Sequence, residues 1–178
     1  MIAALASSSE PTGVPHRRPW VGAAGAVTLR PVLRDFQPSD QQDLRRLILE
    51  GLRERWGEAF DASFNPDLDD FVANYVERGA DVVVMESQDG ELVATGTLAS
   101  GPSNIGRIVR MSVAATHRRR GFARRVVEEL VERARRSGMS EVVVLTDTPW
   151  TSAVELYRSC GFTEIGSDGT DTHFVIPL

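Results

Sequence analysis

The segment with the clearest chemical potential is the basic loop at residues 117–124, which reads HRRRGFAR. A predicted strand precedes this loop and a strongly amphipathic helix follows it. The first turn of a helix leaves backbone N–H groups without intrahelical partners, and the helix dipole favours negative charge there. Gly121 lets the backbone approach a ligand closely. The basic loop therefore predicts a site for a pyrophosphate; the alternative is a solvated basic turn in front of an ordinary helix.

Two familiar phosphate-binding motifs do not match the basic loop. No Gly-Lys-Ser or Gly-Lys-Thr follows it, which argues against a P-loop. The dinucleotide fingerprint needs glycines at its first two positions, where this chain has arginines. All 20 basic residues are arginine, yet the formal net charge is −5, and such an acidic body argues against general nucleic-acid binding. The ligand of the basic loop is therefore expected to be small.

Hydrophobic periodicity predicts the elements that must position this loop. We expect strands at residues 27–34, 81–86, 91–99, 105–113 and 141–145, with two more strands after Gly161. Helices are expected after Asp40, after the Asn65-Pro66-Asp67 cap signal, between Gly121 and Gly138, and around residues 153–160. This order, β-α-α-β-β-β-α-β-α-β-β, predicts one α/β domain from residue 27 to residue 178, behind a disordered tail at residues 1–26.

Composition limits the class of protein further. At 178 residues, 42% of them hydrophobic, the chain is long enough for one well-formed core. It has no apolar run that approaches a membrane span, so no membrane partner is expected. The single cysteine, Cys160, rules out an internal disulfide framework and a cysteine-rich zinc site. We expect a cytoplasmic protein without a metal.

Two segments in register resemble a known family. RMSV at residues 110–113, followed by RxxGxA at 118–123, is similar to motif A of the GNAT superfamily of N-acetyltransferases. About forty residues on, AxxLYxxxGF at 153–162 resembles the family's motif B. The resemblance extends to the order of elements from about residue 27 to the C-terminus. It implies the GNAT fold: a mixed, mostly antiparallel sheet of about seven strands, splayed in the middle and flanked by about four helices.

Carried onto this sequence, the resemblance implies a direct transfer of an acetyl group from acetyl-CoA. The pantetheine arm would lie between the strand that ends at Val113 and the strand at 141–145, and N–H groups from Arg119 to Arg124 would hold the pyrophosphate. A backbone N–H near Met111 would stabilise the oxyanion. Tyr157 would protonate the departing thiolate as the general acid; the alternative is a core aromatic. The implied cofactor-binding residues are Met111, Ser112, Val113, Arg118, Arg119, Arg120, Gly121, Phe122, Ala123, Arg124 and Trp150.

The sequence departs from the family pattern at two positions. Where many members carry a glutamate as general base, the matching position is Arg107, so another base is needed for an amine whose pKa is roughly 10. Three candidates are Glu86, Asp147 and His173, each of which has a structural or surface role as its alternative. The second departure is Trp150, which occupies a position often held by asparagine; it could stack on the cofactor, line the acceptor pocket or simply pack.

The family resemblance places the acceptor against the first two helices and the C-terminal hairpin. The residues in that region are Trp56, Phe60, Asp61, Asn65, Asp67, Asp69 and Asp70. The acids could steer a cationic amine by their charge, or they could simply cap a helix. We expect the acceptor to be a primary amine of a small molecule. A CoA-binding module without turnover, a protein N-terminal or lysine acetyltransferase, and a homodimer all remain open.

Overall fold

The computed structural model describes residues 31–178. The predicted tail at residues 1–26 and the first four residues of the predicted strand at 27–34 lie outside the described residues, as does the domain boundary at residue 27. Seven strands form one sheet: β1 Val32–Asp35, β2 Asp81–Glu86, β3 Leu92–Ser100, β4 Ile105–Val113, β5 Glu141–Asp147, β6 Thr163–Ser167 and β7 Asp171–Pro177. Three α-helices flank it: α1 Gln41–Trp56, α2 Phe122–Arg136 and α3 Thr151–Ser159.

The strands lie in the order β1-β2-β3-β4-β5-β7-β6. Every neighbouring pair is antiparallel except β4 and β5, which run parallel. The parallel pair is joined by the crossover through α2, as a parallel connection requires. The predicted mixed, mostly antiparallel sheet of seven strands is therefore confirmed.

The helix predicted after Asn65 is not a regular α-helix. This stretch forms a 3₁₀ turn at Pro66–Leu68 and then a π-helical segment at Val72–Val76, which we call the π turn. Asn65 does not cap it with its side chain. Instead, the Asp70 carboxylate accepts from Ala73 N at 3.0 Å, and the Asn74 amide donates to Asp70 O at 2.9 Å. These local bonds compete with the α-helical ladder, which the cap signal alone does not reveal.

Apolar side chains cover both faces of the sheet. On one face, the predicted amphipathic helix α2 buries an apolar stripe from Phe122 to Ala134, and α3 packs beside it. On the other face, α1 and the π turn form a second cluster around Leu44 and Phe71, both of which are fully buried. Full burial of a large apolar side chain contributes about 1.5–3 kcal/mol, so the two clusters fix the helices against the sheet.

The sheet opens between β4 and β5. These strands pair only from Ile105↔Glu141 to Ile108↔Val144. Beyond that point β5 stays paired with β7 as far as Asp147↔Asp171, whereas β4 continues alongside β3. The second half of β4 and the end of β5 therefore present unpaired edges to each other, which creates a cleft in the middle of the sheet.

Candidate functional site

A cavity of about 980 Å³ occupies the cleft between β4 and β5. Its walls come from the C-terminal half of α1, the second half of β4, the basic loop, the end of β5 and the first turns of α3. Eleven of the twelve predicted site residues line it: Met111, Ser112, Val113, Arg118, Arg119, Gly121, Phe122, Ala123, Arg124, Trp150 and Tyr157. Arg120 is not among the lining residues. The topology thus gathers the two motifs around one space, while the role of each residue stays a prediction.

A β-bulge shapes the β4 wall of the cavity. Thr97 pairs with Val109 and Thr95 with Ser112, so Arg110 and Met111 together face the single residue Gly96. Arg110 takes a left-handed conformation with φ +54°, which is costly for a residue with a Cβ. A bulge interrupts the ladder and re-aims the strand, here at the residues that border the cleft.

Two glycines allow the neighbouring layers to close on the bulge. A Cβ at Gly96 would overlap Met111 Sδ and would lie 2.6 Å from Val126 Cγ1. On the other face, a Cβ at Gly51 of α1 would lie 2.8 Å from Ser112 Oγ, the hydroxyl that donates to Leu47 O at 3.1 Å. The side chains of residues 111 and 112 are thereby packed into opposite layers, and the strand backbone faces the cavity.

The basic loop supplies a set of backbone donors. Within residues 31–178, the N–H groups from Arg119 to Arg124 have no hydrogen-bond partner, and the first bond of α2 runs from Arg125 N to Gly121 O at 3.1 Å. Arg119 and Gly121 adopt φ +58° and +79°. Left-handed residues next to right-handed ones turn successive N–H groups toward one side, which makes an anion-binding nest at a helix N-terminus. The loop therefore fits a pyrophosphate through its backbone.

Two of the four arginine side chains of the basic loop have other partners. Arg118 forms a bidentate pair with Glu54 of α1, at 2.5 and 2.6 Å, and its Nε donates to Val113 O at 3.1 Å. Arg124 donates to Ser159 O at 2.8 Å. Arg118 thus ties β4 and the loop to α1, and Arg124 ties α2 to α3. Most of the specific anion donors of the loop are therefore backbone groups.

Tyr157 lies on the floor of the cavity. The side chain is almost fully buried, and its ring contacts Phe162 and Phe174 at centroid distances of 5.7 and 5.8 Å. Its hydroxyl has no hydrogen-bond partner among the described residues. Burial raises the pKa of the phenol well above its ordinary value. Tyr157 therefore holds its proton at neutral pH, as a general acid must, while its ring also serves the core.

Of the three candidate bases, only Asp147 lines the cavity. Burial, together with the nearby charge of Asp171, raises the pKa of the Asp147 carboxyl above its ordinary value. Glu86 is instead held by Arg34 at 2.5 Å, and His173 faces Asp168 at 3.2 Å. Arg107 is exposed and does not line the cavity.

The acids predicted to attract an acceptor lie at residues 61–70, which we call the acidic segment. Their carboxylates already bind other groups of the protein. Arg110 donates to Asn65 Oδ1 at 2.9 Å, to Asp67 Oδ1 at 2.6 Å and to Tyr75 Oη at 3.1 Å. Tyr75 in turn donates to Asp67 Oδ2 at 2.6 Å. We call this four-residue network the Arg110 clamp. The sequence signal for it was weak, because nothing in the RMSV string shows that its arginine reaches 45 residues back.

The other acids of the acidic segment are also partnered. Asp69 pairs with Arg45 at 2.8 Å, Asp61 accepts from Ser63 N at 2.8 Å, and Asp70 accepts from Ala73 N. Among the seven residues predicted for the acceptor, only Trp56 lines the cavity. The acidic segment is therefore a structural element beside the site, and its capping role accounts for Asp61 and Asp70.

The mouth of the cavity between α1 and α3 is aromatic and carries an arginine. Trp56 meets Trp150 edge to face, with centroids 6.1 Å apart. The guanidinium of Arg55 lies over the Trp150 ring at 4.5 Å from its centroid, a cation–π geometry. Partial desolvation and the neighbouring charge of Arg118 lower the pKa of Arg55. Sequence reasoning missed Arg55. It is one of twenty arginines in the chain, and its position on a predicted helix carries no local signal of a site.

Between residues 31 and 178, no helix is both long and apolar enough to cross a membrane. In the same range, no group of three or more His, Cys, Asp or Glu side chains is arranged to hold a metal ion.

Comparisons with known proteins agree on one family. The family model described as the acetyltransferase (GNAT) family matches residues 43–162. Human N-acetyltransferase 8 is 31% identical over 119 residues, which make up 64% of this chain and 52% of that protein. The chain therefore spans about half the length of this curated relative.

The solved structures that are similar agree on the fold. An acetyltransferase of the GNAT family from Staphylococcus aureus has a TM-score of 0.75 at 18% identity, over 83% of this chain and 99% of that one. The PaiA N-acetyltransferase from Thermoplasma acidophilum, solved in complex with coenzyme A, has a TM-score of 0.74 at 12% identity, over 84% and 100%.

Proposed function

This chain belongs to the GNAT acetyltransferase family, and we propose that it transfers an acetyl group from acetyl-CoA to a primary amine of a small molecule. The observation that carries this proposal is the juxtaposition of two features along one cleft. The basic loop offers unpaired backbone N–H groups, and the β4–β5 opening leads from that loop to Tyr157 and Asp147. Acetyl-CoA matches this arrangement, because it is a long molecule with an anionic pyrophosphate in its middle and a reactive thioester at one end.

Binding of the donor is supported by the backbone at both parts of the cleft. The N–H groups of residues 119–124 would hold the pyrophosphate, with Gly121 allowing close approach. The unpaired edge of β4 after Ile108 would pair with the amides of the pantetheine arm, in the manner of an added strand. The bulge at Arg110 and Met111 would direct a backbone N–H toward the thioester oxygen.

The chemistry requires one group that accepts a proton and one that donates a proton. We propose that Asp147 takes a proton from the bound ammonium, which frees the nitrogen lone pair to attack the thioester carbon. The new C–N bond forms as the C–S bond breaks, and Tyr157 gives its proton to the departing thiolate. The phenol is restored by a proton from the nitrogen, so each turnover releases one proton to solvent, through Asp147.

In this proposal Asp147 is the general base, in place of the glutamate that many family members carry at the position of Arg107. It lines the cavity together with Tyr157, and its raised pKa makes it a stronger base than an ordinary aspartate. This favours an enzyme over a CoA-binding module without turnover. A small-molecule acceptor, a cytoplasmic location and a homodimer stay predictions.

The proposal is tested by the release of free thiol from acetyl-CoA across a panel of primary amines, beside calorimetric binding of CoA. We expect CoA binding by the wild type and turnover with at least one amine. Tyr157→Phe should bind CoA with unchanged affinity and lose about 10²- to 10⁴-fold in kcat, as expected for a missing general acid. Binding of CoA with no turnover of any amine would favour the binding module.

A further inference from the structure

Five arginines line the cavity, and they differ in how their charge is balanced. Arg110, Arg118 and Arg124 form ion pairs with Asp67, Glu54 and Glu128. Arg55 and Arg119 have no carboxylate within ion-pair distance among residues 31–178. Arg119 belongs to the basic loop, where a pyrophosphate would balance its charge. Arg55 belongs to α1 and lies at the aromatic mouth, so the cavity carries a second uncompensated cation.

The surroundings of Arg55 hold the guanidinium in place without neutralising it. It lies over Trp150, and the carboxylate of its sequence neighbour Glu54 is engaged by Arg118 in a bidentate pair. Partial desolvation lowers the pKa of Arg55, and the charge of Arg118 lowers it further. Asp147 and Tyr157 act on Arg55 electrostatically without an ion pair or hydrogen bond to it. A bound anion would relieve this unfavourable environment.

We propose that Arg55 binds a carboxylate of the acceptor, so that the acceptor is a free amino acid or a similar small amine whose carboxylate lies next to its amine. This inference rests on the proposed acetyl transfer. A cation and an anion, Arg55 and Asp147, interact across the same part of the cavity as Tyr157. An amino acid carries the complementary pair, with its carboxylate toward Arg55 and its ammonium toward Asp147.

A phosphate of CoA is the other anion that could reach this arginine. The geometry favours the acceptor, because the pyrophosphate already has the nest of residues 119–124 at the N-terminus of α2. Arg55 comes from a helix on the opposite face of the sheet. Arg55 lies over Trp150, which in turn meets Trp56 edge to face, and such aromatic walls suit a flat apolar substituent. An aromatic amino acid is therefore the preferred acceptor within the class.

The test compares amino acids with the amines that they become on loss of the carboxylate. Acetyl transfer is measured for phenylalanine and phenethylamine as the reference pair, and for the other L-amino acids and their decarboxylated amines. We expect wild-type kcat/KM to favour phenylalanine by about tenfold to a hundredfold, the effect of a charge-assisted pair. Arg55→Gln should remove this preference by lowering kcat/KM for phenylalanine, with less than about a threefold change for phenethylamine.

Two control variants accompany Arg55→Gln. Arg55→Lys keeps the charge and should retain part of the preference for phenylalanine. Arg53→Gln removes a neighbouring arginine that lies over Phe60 and does not line the cavity, and it should behave as wild type toward both amines. Calorimetric binding of CoA to wild type and Arg55→Gln should give equal affinities.

The outcomes distinguish a carboxylate of the acceptor from the other possible ligands of Arg55. Weaker CoA binding by Arg55→Gln, with equal losses for both amines, would assign Arg55 to a phosphate and overturn the inference. Equal or faster turnover of the decarboxylated amines by the wild type would also overturn it, while leaving acetyl transfer intact. Absence of turnover with every amine, despite CoA binding, would instead remove the proposed function itself.

Discussion

The two ends of the cavity use different parts of the chain. At the donor end, the basic loop offers backbone N–H groups from six consecutive residues, and the side chains of Arg118 and Arg124 hold neighbouring elements together. At the acceptor end, the chemistry depends on the side chains of Arg55, Asp147 and Trp150, which come from α1, β5 and the start of α3. The donor end should thus depend on backbone conformation, and the acceptor end on individual functional groups.

The strongest test of the acceptor end is Asp147→Asn. An amide cannot accept the proton of the ammonium, so we expect kcat/KM to fall by about a hundredfold or more. The wild-type kcat/KM should fall as the pH drops through the raised pKa of Asp147, and the variant should lose this acidic limb. The pH dependence of kcat/KM for one good amine, measured for both proteins, checks the prediction.

Stability provides the control for Asp147→Asn. A carboxyl whose pKa is raised in the folded state stabilises the fold below its ordinary value near 3.8, and loses that contribution as the pH rises through the raised value. At neutral pH the charged form is a net cost. The asparagine variant should therefore unfold at the same or a higher temperature at pH 7. A lower Tm accompanied by the same loss of activity would point to misfolding.

The matching test of the donor end changes a backbone conformation. Gly121 has φ +79°, and a β-branched residue there should strain the loop by about 1–2 kcal/mol. We expect Gly121→Val to weaken CoA binding about tenfold. Arg120→Gln, which removes a charge from the same loop, should weaken it by only about twofold and less at high salt. If the two variants weaken calorimetric CoA binding equally, the side chains carry the site.

The Arg110 clamp ties β4 to the acidic segment beside the cavity and should show an intermediate effect. Arg110→Met removes three hydrogen bonds, to Asn65, Asp67 and Tyr75, next to the bulge at Met111. The pair with Asp67 is partly exposed, so we expect a loss of about 1–2 kcal/mol in unfolding free energy. Asp67→Asn should couple to it in a double-mutant cycle followed by denaturant unfolding. Independent, additive effects would show that the clamp does not act as a unit.

The sequence revealed the donor end more fully than the acceptor end for a physical reason. A strand, a glycine in a left-handed conformation and an amphipathic helix are local patterns, and the basic loop follows from them within ten residues. In the Arg110 clamp, Arg110 bonds residues 35–45 positions back along the chain, and Arg55 lies over a tryptophan 95 positions ahead of it. These contacts depend on how α1 and the acidic segment pack against β4 and α3. The same limit explains in part why the regular helix predicted after Asn65 was wrong, because the side chain of the predicted cap residue, Asn65, accepts a hydrogen bond from Arg110 instead.

The smallest effect is expected from the acids that sequence alone suggested as a steering surface. Asp69 pairs with Arg45 in the open, where their side chains are 66% and 39% exposed, and such a pair contributes about 0–1 kcal/mol. Asp69→Asn should therefore change Tm by no more than a few degrees and leave kcat/KM for the best acceptor within about twofold. Steering by the acidic segment predicts something different: a larger loss for cationic amines that grows as the ionic strength falls. Assays of Asp69→Asn at low and high salt with the decarboxylated amines, which are pure cations, distinguish the two, and a salt-dependent loss would return the acidic segment to the acceptor site.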